Sequence, residues 1–353
     1  MGIKGFPQFL GKHLVDQYIP IDEGVIRKHR IAIDIGGFMH RFTENMHYPT
    51  EYVARFLEFA RNLAAESIAF VFVFDGMVAT CKSATLLERR AKRERSLARL
   101  DLKCREVLHQ EQILLTRLQN SLTMGSPEST TIVLEKLHRS RLFRMRLLRK
   151  SNPVCRRFFY HLETVFAESK IPYVVSDGEA EKACAWLAQN GHVDLVVSDD
   201  YDTLVCGAPH MLCHWRQKKC FQPSVVTLVT VLSKLGLSYD EFVSVCVLAG
   251  SDFAKPPPQF AFKRALVSVR AAVANKAENA LTSAFDGFYR GAYPTTEAAD
   301  SALGCFEQAK QHFIRPEFPF ARSFLIFALV SVVHAIVRWS IARALFFRDA
   351  AAH

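Results

Sequence analysis

The 353-residue sequence contains nine cysteines but no Cys-x-x-Cys pair. The common zinc-binding and thiol-redox motifs are therefore absent. No signal-peptide pattern opens the chain, so we expect a protein that is not secreted and whose cysteines stay reduced in the nucleus or cytosol.

Long apolar runs free of charge are also missing. The segment 324–347 is apolar, but His334, Arg338 and Arg343 interrupt it. Its longest uncharged run is short for a bilayer span, which needs about 20 residues. The sequence therefore favours a buried terminal helix over a membrane anchor.

Acidic residues are scarce in one segment. Residues 82–157 contain 19 Lys and Arg but only 7 Asp and Glu, whereas the whole chain has a formal net charge of +10. The segment has a helical pattern with a break at 124–128, and it shows neither a sustained heptad nor the mixed signs of a salt-bridged surface. A pair of basic helices that follows a phosphate backbone explains this composition better than a solvated hairpin.

The rest of the chain contains short apolar strands that end in acids. The runs 31–35 and 69–74 carry Asp34 and Asp75 at their ends, and a helix is predicted between them over 51–65. Strand, helix and strand in this order predict a right-handed parallel unit, and hence an α/β fold with a mostly parallel central sheet flanked by helices. Both acids then lie at the carboxyl ends of strands, where sites in such sheets usually form.

Further acids concentrate between residues 176 and 202. Ser176 and Glu179 fit a capping box that opens a helix. Asp200 and Asp202 follow a buried strand, and an extended backbone would direct both to the same side. Clustered carboxylates repel one another unless cations neutralise them, and Mg²⁺ or Mn²⁺ suits such oxygen ligands. A capped helix followed by a solvated acidic loop is the alternative without a functional role.

Six sequence blocks occur in the order in which they occur in the flap endonuclease / XPG-type (Rad2-like) 5′ nucleases, and the chain resembles this family over residues 1–252. Each block alone is a weak signal, but the ordered set is specific. The blocks are MGIKGF (1–6), AID (32–34), VFDG (73–76), GEAEKAC (178–184), SDDYD (198–202) and LAGSD (248–252).

The resemblance implies a PIN-like 5′ nuclease fold and a phosphodiesterase site with two Mg²⁺ ions, for which Mn²⁺ can substitute. The implied substrate is DNA with a single-stranded 5′ end or flap. The implied ligands are Asp34, Asp75, Glu179 and Glu181 for one ion, and Asp200, Asp202 and Asp252 for the other, with Glu181 shared.

Basic positions of the family also have counterparts here. Lys82 and Arg89 match the basic pair at the base of the family's helical arch, where they would steady the scissile phosphate. Gly2 would lie near the site after removal of Met1, and His40 stands where the family usually has an aromatic that stacks on a base. The other expected nucleic-acid contacts are Arg90, Lys92, Arg93, Arg95, Arg99, Arg149, Lys150, Lys263 and Arg264.

The resemblance divides the chain into four parts. Residues 1–81 form the first part of the nuclease domain and 82–157 the basic arch, which looks longer than usual. Residues 158–252 form the second part, with the acidic residues, and 253–353 form a divergent, helical C-terminal region.

This last region departs from the family pattern. The glycine-rich helix–hairpin–helix turn, which in the family binds duplex backbone and a monovalent cation, is replaced at 255–265 by a segment with three consecutive prolines, which lack N–H donors. Phe260 and Phe262 are expected to add bulk where a phosphate would approach. We find no convincing sliding-clamp peptide, because Glu317 stands where its aromatic pair is required, and we expect a monomer.

The main hypothesis is a nuclear, structure-selective DNA 5′ nuclease that serves replication or repair. An endoribonuclease of the virion host-shutoff type, acting on mRNA in the cytoplasm, is one alternative, since those proteins resemble this family and also lack the standard duplex-binding turn. A catalytically silent nucleic-acid-binding protein is the other, and the presence of all seven acids argues against it.

Overall fold

The computed structural model describes residues 3–43, 46, 50–76, 83–123, 127–150, 156–215, 222–257 and 260–314. The chain divides into two compact units. One is drawn from residues 1–38, 56–82 and 161–353, and the other from residues 39–55 and 83–160. The apolar segment 324–347, Glu317, Gly2 and Lys82 lie outside the described residues, so the predictions made for them stay predictions.

The described elements are short strands and helices of widely different length. The strands are β1 (Ile19–Pro20), β2 (Arg30–Asp34), β3 (Ala69–Phe74), β4 (Tyr173–Val175), β5 (Leu195–Val197), β6 (His210–Cys213) and β7 (Ser224–Thr227). The helices are α1 (Phe6–His13), α2 (Glu23–Ile26), α3 (Ile35–Thr43), α4 (Glu51–Ala65), α5 (Ser83–Thr123), α6 (Pro127–Lys150), α7 (Arg156–Glu168), α8 (Ala180–Gln189), α9 (Asp202–Val205), α10 (Leu228–Leu235), α11 (Tyr239–Ala249), α12 (Phe262–Ala274), α13 (Ala280–Phe288) and α14 (Thr296–Ile314).

The first unit contains a seven-stranded sheet with the order β1-β7-β6-β5-β2-β3-β4. Strand β2 pairs in parallel with β3 on one side and β5 on the other, and β4 and β6 extend the parallel sheet. Only β7 and β1 add antiparallel pairs at one edge. The predicted mostly parallel α/β sheet is confirmed.

The central strands are continuous apolar runs because helices cover both faces of a parallel sheet. Phe72 of β3 is fully buried and packs against Phe56 of α4 and Phe166 of α7, at ring-centroid distances of 6.2 and 5.0 Å. Helix α4 has the predicted bounds. These aromatic contacts anchor β3, the strand that Asp75 follows.

The helices α11 to α14 form the C-terminal part of the first unit. Ser238 and Glu241 form a capping box at the start of α11. The expectation for Phe262 is wrong, because its ring is 1% exposed and packs at 4.9 Å from the ring of Phe6 in α1. Burial against α1 removes Phe262 from the surface that a phosphate could approach.

The second unit is dominated by the two long basic helices α5 and α6, which the sequence predicted as a pair. Val107, Leu137 and Leu147 are buried between them. Arg144 Nε contacts Glu111 Oε2 at 3.0 Å, and the Glu111 side chain is only 5% exposed. This ion pair, together with the apolar contacts, fixes the two helices as a hairpin. Among the described helices, none combines the length and the hydrophobicity that crossing a membrane requires.

Candidate metal centre

Two neighbouring strands of the first unit bring the first two acids to one edge of the sheet. Asp34 is the last residue of β2, and its Cα pairs with that of Val73 in β3. Asp75 follows β3 directly. Because β2 and β3 are parallel, their carboxyl ends meet at the same edge, as the sequence predicted.

The Asp34 carboxylate is buried, with 6% of the residue exposed. It accepts hydrogen bonds from Gly36 N and Ser198 Oγ, both at 2.9 Å. Burial, together with the nearby charge of Asp75, raises the pKa of Asp34 to about 7. An acid that is held in this way has lost solvation and needs a positive partner in order to stay ionised near neutral pH.

The start of α8 differs from the expected capping box. The helix begins at Ala180 with Glu179 as its N-cap residue, and the Ser176 hydroxyl instead accepts from Gly178 N at 3.1 Å. Asp75 Oδ1 accepts from Ala180 N at 2.8 Å, so a carboxylate from a neighbouring strand satisfies the first helical N–H. This contact places Asp75 at the positive end of α8.

Glu181, in the first turn of α8, lies near four other acids. Its pKa is raised well above the usual value, first by burial and then by the charges of Asp34, Asp75, Glu179 and Asp200. These five carboxylates are therefore close enough to repel one another, and we call them the acidic cluster.

Asp200 and Asp202 do not have the expected extended geometry. Tyr201 between them is helical (φ −73°, ψ −7°), because α9 begins at Asp202. Asp202 is 5% exposed, and its Oδ1 accepts from Ile3 N at 3.0 Å. Asp200 Oδ1 accepts from Asp202 N at 3.1 Å. The helical turn thus directs Asp202 toward the N-terminal segment, while Asp200 belongs to the acidic cluster.

Asp252, the seventh acid, lies in a tight turn after α11. Ser251 N donates to Ala254 O at 3.0 Å, and Ser251 Oγ accepts from Phe253 N at 3.2 Å. The turn holds Asp252 partly buried at the end of the helix.

The chemistry of the acidic cluster fits hard divalent cations. Its donors are all carboxylate oxygens, which Mg²⁺ and Mn²⁺ prefer. Burial, followed by repulsion from neighbouring acids, raises the pKa values of Asp34 and Glu181. Within the part of the chain that is described, no three His, Cys, Asp or Glu side chains already stand at the spacing of a single ion. Ligation would therefore involve side-chain rotation.

Comparison with known proteins agrees with this arrangement. Residues 1–96 match the family model of the XPG N-terminal domain, and residues 170–252 match that of the XPG I-region. Together these matches cover half of the chain, including all seven acids. The chain belongs to the XPG family.

Relatives of this chain include flap endonuclease 1-B of Oryza sativa subsp. indica, which is 26% identical over an alignment of 285 positions that covers 76% of this chain and 61% of the relative. Flap endonuclease 1 of Nematostella vectensis is 27% identical over an alignment of 269 positions that covers 72% of this chain and 62% of the relative. The chain thus spans about three fifths of the length of these relatives.

Two solved structures share the fold. The catalytic core of Rad2 in complex with DNA substrate superposes with a TM-score of 0.56 at 16% identity, covering 95% of this chain and all of that one. Flap endonuclease-1 from Methanococcus jannaschii gives a TM-score of 0.52 at 18% identity, covering 85% of this chain and 82% of that one. The expected 5′ nuclease fold is confirmed.

Sequence reasoning missed two residues at the XPG-family site. Ser198, which donates to Asp34, could have been found from its position directly before the acids at 199–200. His312 of α14 has its Nε2 3.5 Å from Glu179 Oε2. No sequence signal connects His312 to this site, because it lies 60 residues beyond the last family block.

The predicted nucleic-acid contacts of the XPG-family chain fall on different elements. His40 is exposed in the last turn of α3. In the second unit, α5 carries Arg89 and Arg90 and the exposed side chains of Lys92, Arg93, Arg95 and Arg99, and α6 ends with Arg149 and Lys150.

Lys263 and Arg264 lie in the first unit, in the first turn of α12. Both are exposed, and the Arg264 guanidinium lies 4.1 Å from the ring centroid of Phe260. They line a shallow surface groove together with the exposed residues Val267 and Phe288. Arg264 is therefore partly engaged with an aromatic face, whereas Lys263 offers its charge to solvent.

The raised pKa of Asp34 makes a prediction for the metal-free protein. Because the folded state binds this proton more tightly than the unfolded chain, the free energy of unfolding in EDTA should fall as the pH rises from about 4 to about 7. Asp34→Asn should reduce that slope, and Mg²⁺ should reduce it in the unsubstituted protein. Urea titrations at several pH values measure both effects, and an identical slope in the variant would contradict the assignment.

Proposed function

We propose that this protein is a metal-dependent, structure-selective 5′ nuclease that hydrolyses phosphodiester bonds at DNA flaps or related junctions. The observation that carries the proposal is the acidic cluster, five mutually repelling carboxylates at the carboxyl edge of the central sheet. In a chain of the XPG family, whose members are metal-dependent nucleases, such a cluster is best explained as a cation site.

The seven acids would hold two Mg²⁺ ions, with Mn²⁺ as a substitute. When bound, such ions activate a water molecule and stabilise the leaving oxygen of a phosphodiester. The protein's own contribution is to hold the carboxylates in place. Ser198 and Gly36 orient Asp34, and the N-terminus of α8 orients Asp75. Asp202 and Asp252 would complete the second site from α9 and from the turn after α11.

The basic hairpin would bind the single-stranded part of the substrate. Lys92, Arg93, Arg95 and Arg99 are exposed on one helix, within two turns of one another, and can follow a phosphate backbone. Lys82 and Arg89 are proposed to steady the scissile phosphate, and Gly2 and His40 to contact nucleotides near the cut.

The hairpin makes a quantitative prediction. Replacing Arg93, Arg95 and Arg99 with alanine should weaken binding of a 5′ single strand and should lower the slope of log K against log salt by about 2, since each lost phosphate contact contributes about 0.7 to single-strand binding. Fluorescence anisotropy at several salt concentrations measures the slope.

Arg117→Ala is the matched control, because Arg117 is also exposed on α5 but lies about five turns beyond Arg99. It should leave the slope nearly unchanged. An unchanged slope in the triple variant would show that the basic face of α5 does not bind the strand.

The function is tested by cleavage in Mg²⁺ of three matched substrates: a DNA 5′ flap, an RNA hairpin of the same stem and a blunt DNA duplex. We expect the flap to be cut fastest, and shortening its downstream duplex to cost little, because the turn at 255–257 and 260–262 contains Pro256 and Pro257, which lack N–H donors. Faster cleavage of the RNA hairpin would favour a cytoplasmic ribonuclease instead. No cleavage of any substrate would favour a silent binding protein. A monomer in the nucleus is part of the main proposal.

A further inference from the structure

Helix α14 lies beyond both family-model matches, yet it reaches the acidic cluster. The ring nitrogen Nε2 of His312 stands 3.5 Å from Oε2 of Glu179, and the two side chains are only 18% and 12% exposed. The pair is therefore largely shielded from solvent. The position of His312 consequently affects any ligand that Glu179 binds.

The His312 ring is held in a defined place. Its centroid lies 4.3 Å from that of Phe253, the residue after Asp252. The neighbouring Phe313 is buried, with 3% exposed, and also packs on Phe253. Two residues earlier in α14, Lys310 Nζ contacts Asp240 Oδ2 of α11 at 2.6 Å. The aromatic contacts with Phe253 fix the ring against the turn that carries Asp252.

The Nε2 atom of His312 is buried. Among the described residues, none forms a hydrogen bond with it. Leaving a buried ring nitrogen without a hydrogen bond is unfavourable, so a group that can approach it is favoured. The carboxylate of Glu179 is the acceptor at hand, and a small side-chain rotation shortens the 3.5 Å separation to a hydrogen bond.

We propose that His312 is a positioning residue for the metal centre, donating its Nε2–H to Glu179 and holding that carboxylate toward the cluster. The proposal rests on the proposed function, because it needs Glu179 to be a metal ligand. Such a donor counters the repulsion from Glu181 and the other acids, which favours rotamers of Glu179 that point away. Carboxylate ligands of metals are themselves commonly fixed by hydrogen bonds of this kind.

The test distinguishes the effect of the Nε2–H donor from the effect of the aromatic ring of His312. His312→Phe keeps an aromatic ring against Phe253 but removes the N–H, whereas His312→Gln restores a side-chain N–H. Mn²⁺ binding to each variant is measured by titration calorimetry in the absence of nucleic acid. We expect His312→Phe to weaken Mn²⁺ binding about 10-fold or more and His312→Gln to recover most of that loss.

Cleavage gives a second measurement. His312→Phe should raise the Mg²⁺ concentration for half-maximal rate by about the same factor, while the rate at saturating Mg²⁺ falls less. Lys310→Met is the control on the same helix, since it removes the contact with Asp240 but does not touch Glu179. It should leave Mn²⁺ binding unchanged. Equal Mn²⁺ affinity in the His312→Phe variant and the unsubstituted protein would overturn the proposal.

A double variant shows whether His312 acts through Glu179. In a Glu179→Gln background, His312→Phe should cause no further loss of Mn²⁺ affinity, because the acceptor charge is already gone. A full additional loss would overturn the proposed coupling. If Glu179→Gln by itself leaves both Mn²⁺ affinity and cleavage unchanged, the assignment of Glu179 as a ligand fails, and the proposal fails with it. An effect of Glu179→Gln with none from His312→Phe rejects only the role of His312.

Discussion

Replacing Asp200 with asparagine should abolish cleavage while the protein still binds its substrate. The side chain keeps its shape, and the amide oxygen can still accept from Asp202 N, so the local fold is preserved. The change removes one negative charge from the acidic cluster and weakens any cation bound there. A loss of about 4 kcal/mol of transition-state stabilisation corresponds to about a 1,000-fold slower rate.

Single-turnover cleavage of a DNA flap in Mg²⁺ measures the rate, and anisotropy in Ca²⁺ measures binding without turnover, since Ca²⁺ tolerates looser geometry than Mg²⁺. Asp177→Asn is the matched control, because Asp177 is an exposed acid in the loop before α8. It should leave the rate close to that of the unsubstituted protein. A normal rate for Asp200→Asn would show that the two-metal assignment is wrong.

Replacing Gly76 with alanine should destabilise the fold and displace Asp75. Gly76 N donates to Gly178 O at 2.8 Å, so the segment after β3 lies directly against the loop before α8. A Cβ on Gly76 would overlap the backbone carbonyl of Ser176. Because these are backbone atoms, they cannot move aside as the end of a flexible side chain could. We expect the free energy of unfolding to fall by about 3 kcal/mol.

The same substitution should lower cleavage, because any relief of the overlap moves Asp75 away from Ala180 N, its hydrogen-bond donor at 2.8 Å. Gly178→Ala is the control in the same loop, since a Cβ there meets no atom within 4 Å. Urea denaturation compares the two variants. Equal midpoints would show that the two segments do not approach each other as closely as the structure indicates.

The sequence by itself determined the elements that depend on local pattern. Continuous apolar runs specified β2 and β3, and the acids after them fell at the carboxyl edge because parallel strands share one direction. Periodicity gave α4 its bounds, and the Ser238 and Glu241 pair marked the start of α11. The one-sided charge of residues 82–157 predicted the paired basic helices. In each case the information lies within a few residues of the element.

The tertiary structure decided which distant segments supply hydrogen-bond partners to one another. Helix α8 begins at Ala180 because Asp75, from a distant strand, caps its first N–H in place of Ser176. Asp202 turns toward Ile3 for the same kind of reason, since a buried carboxylate needs a donor and the N-terminal segment supplies one. The contact between His312 and Glu179 exists only because α14 packs on α11 and Phe253. Such contacts join residues far apart in the chain, and no local sequence pattern predicts which of them will be in contact.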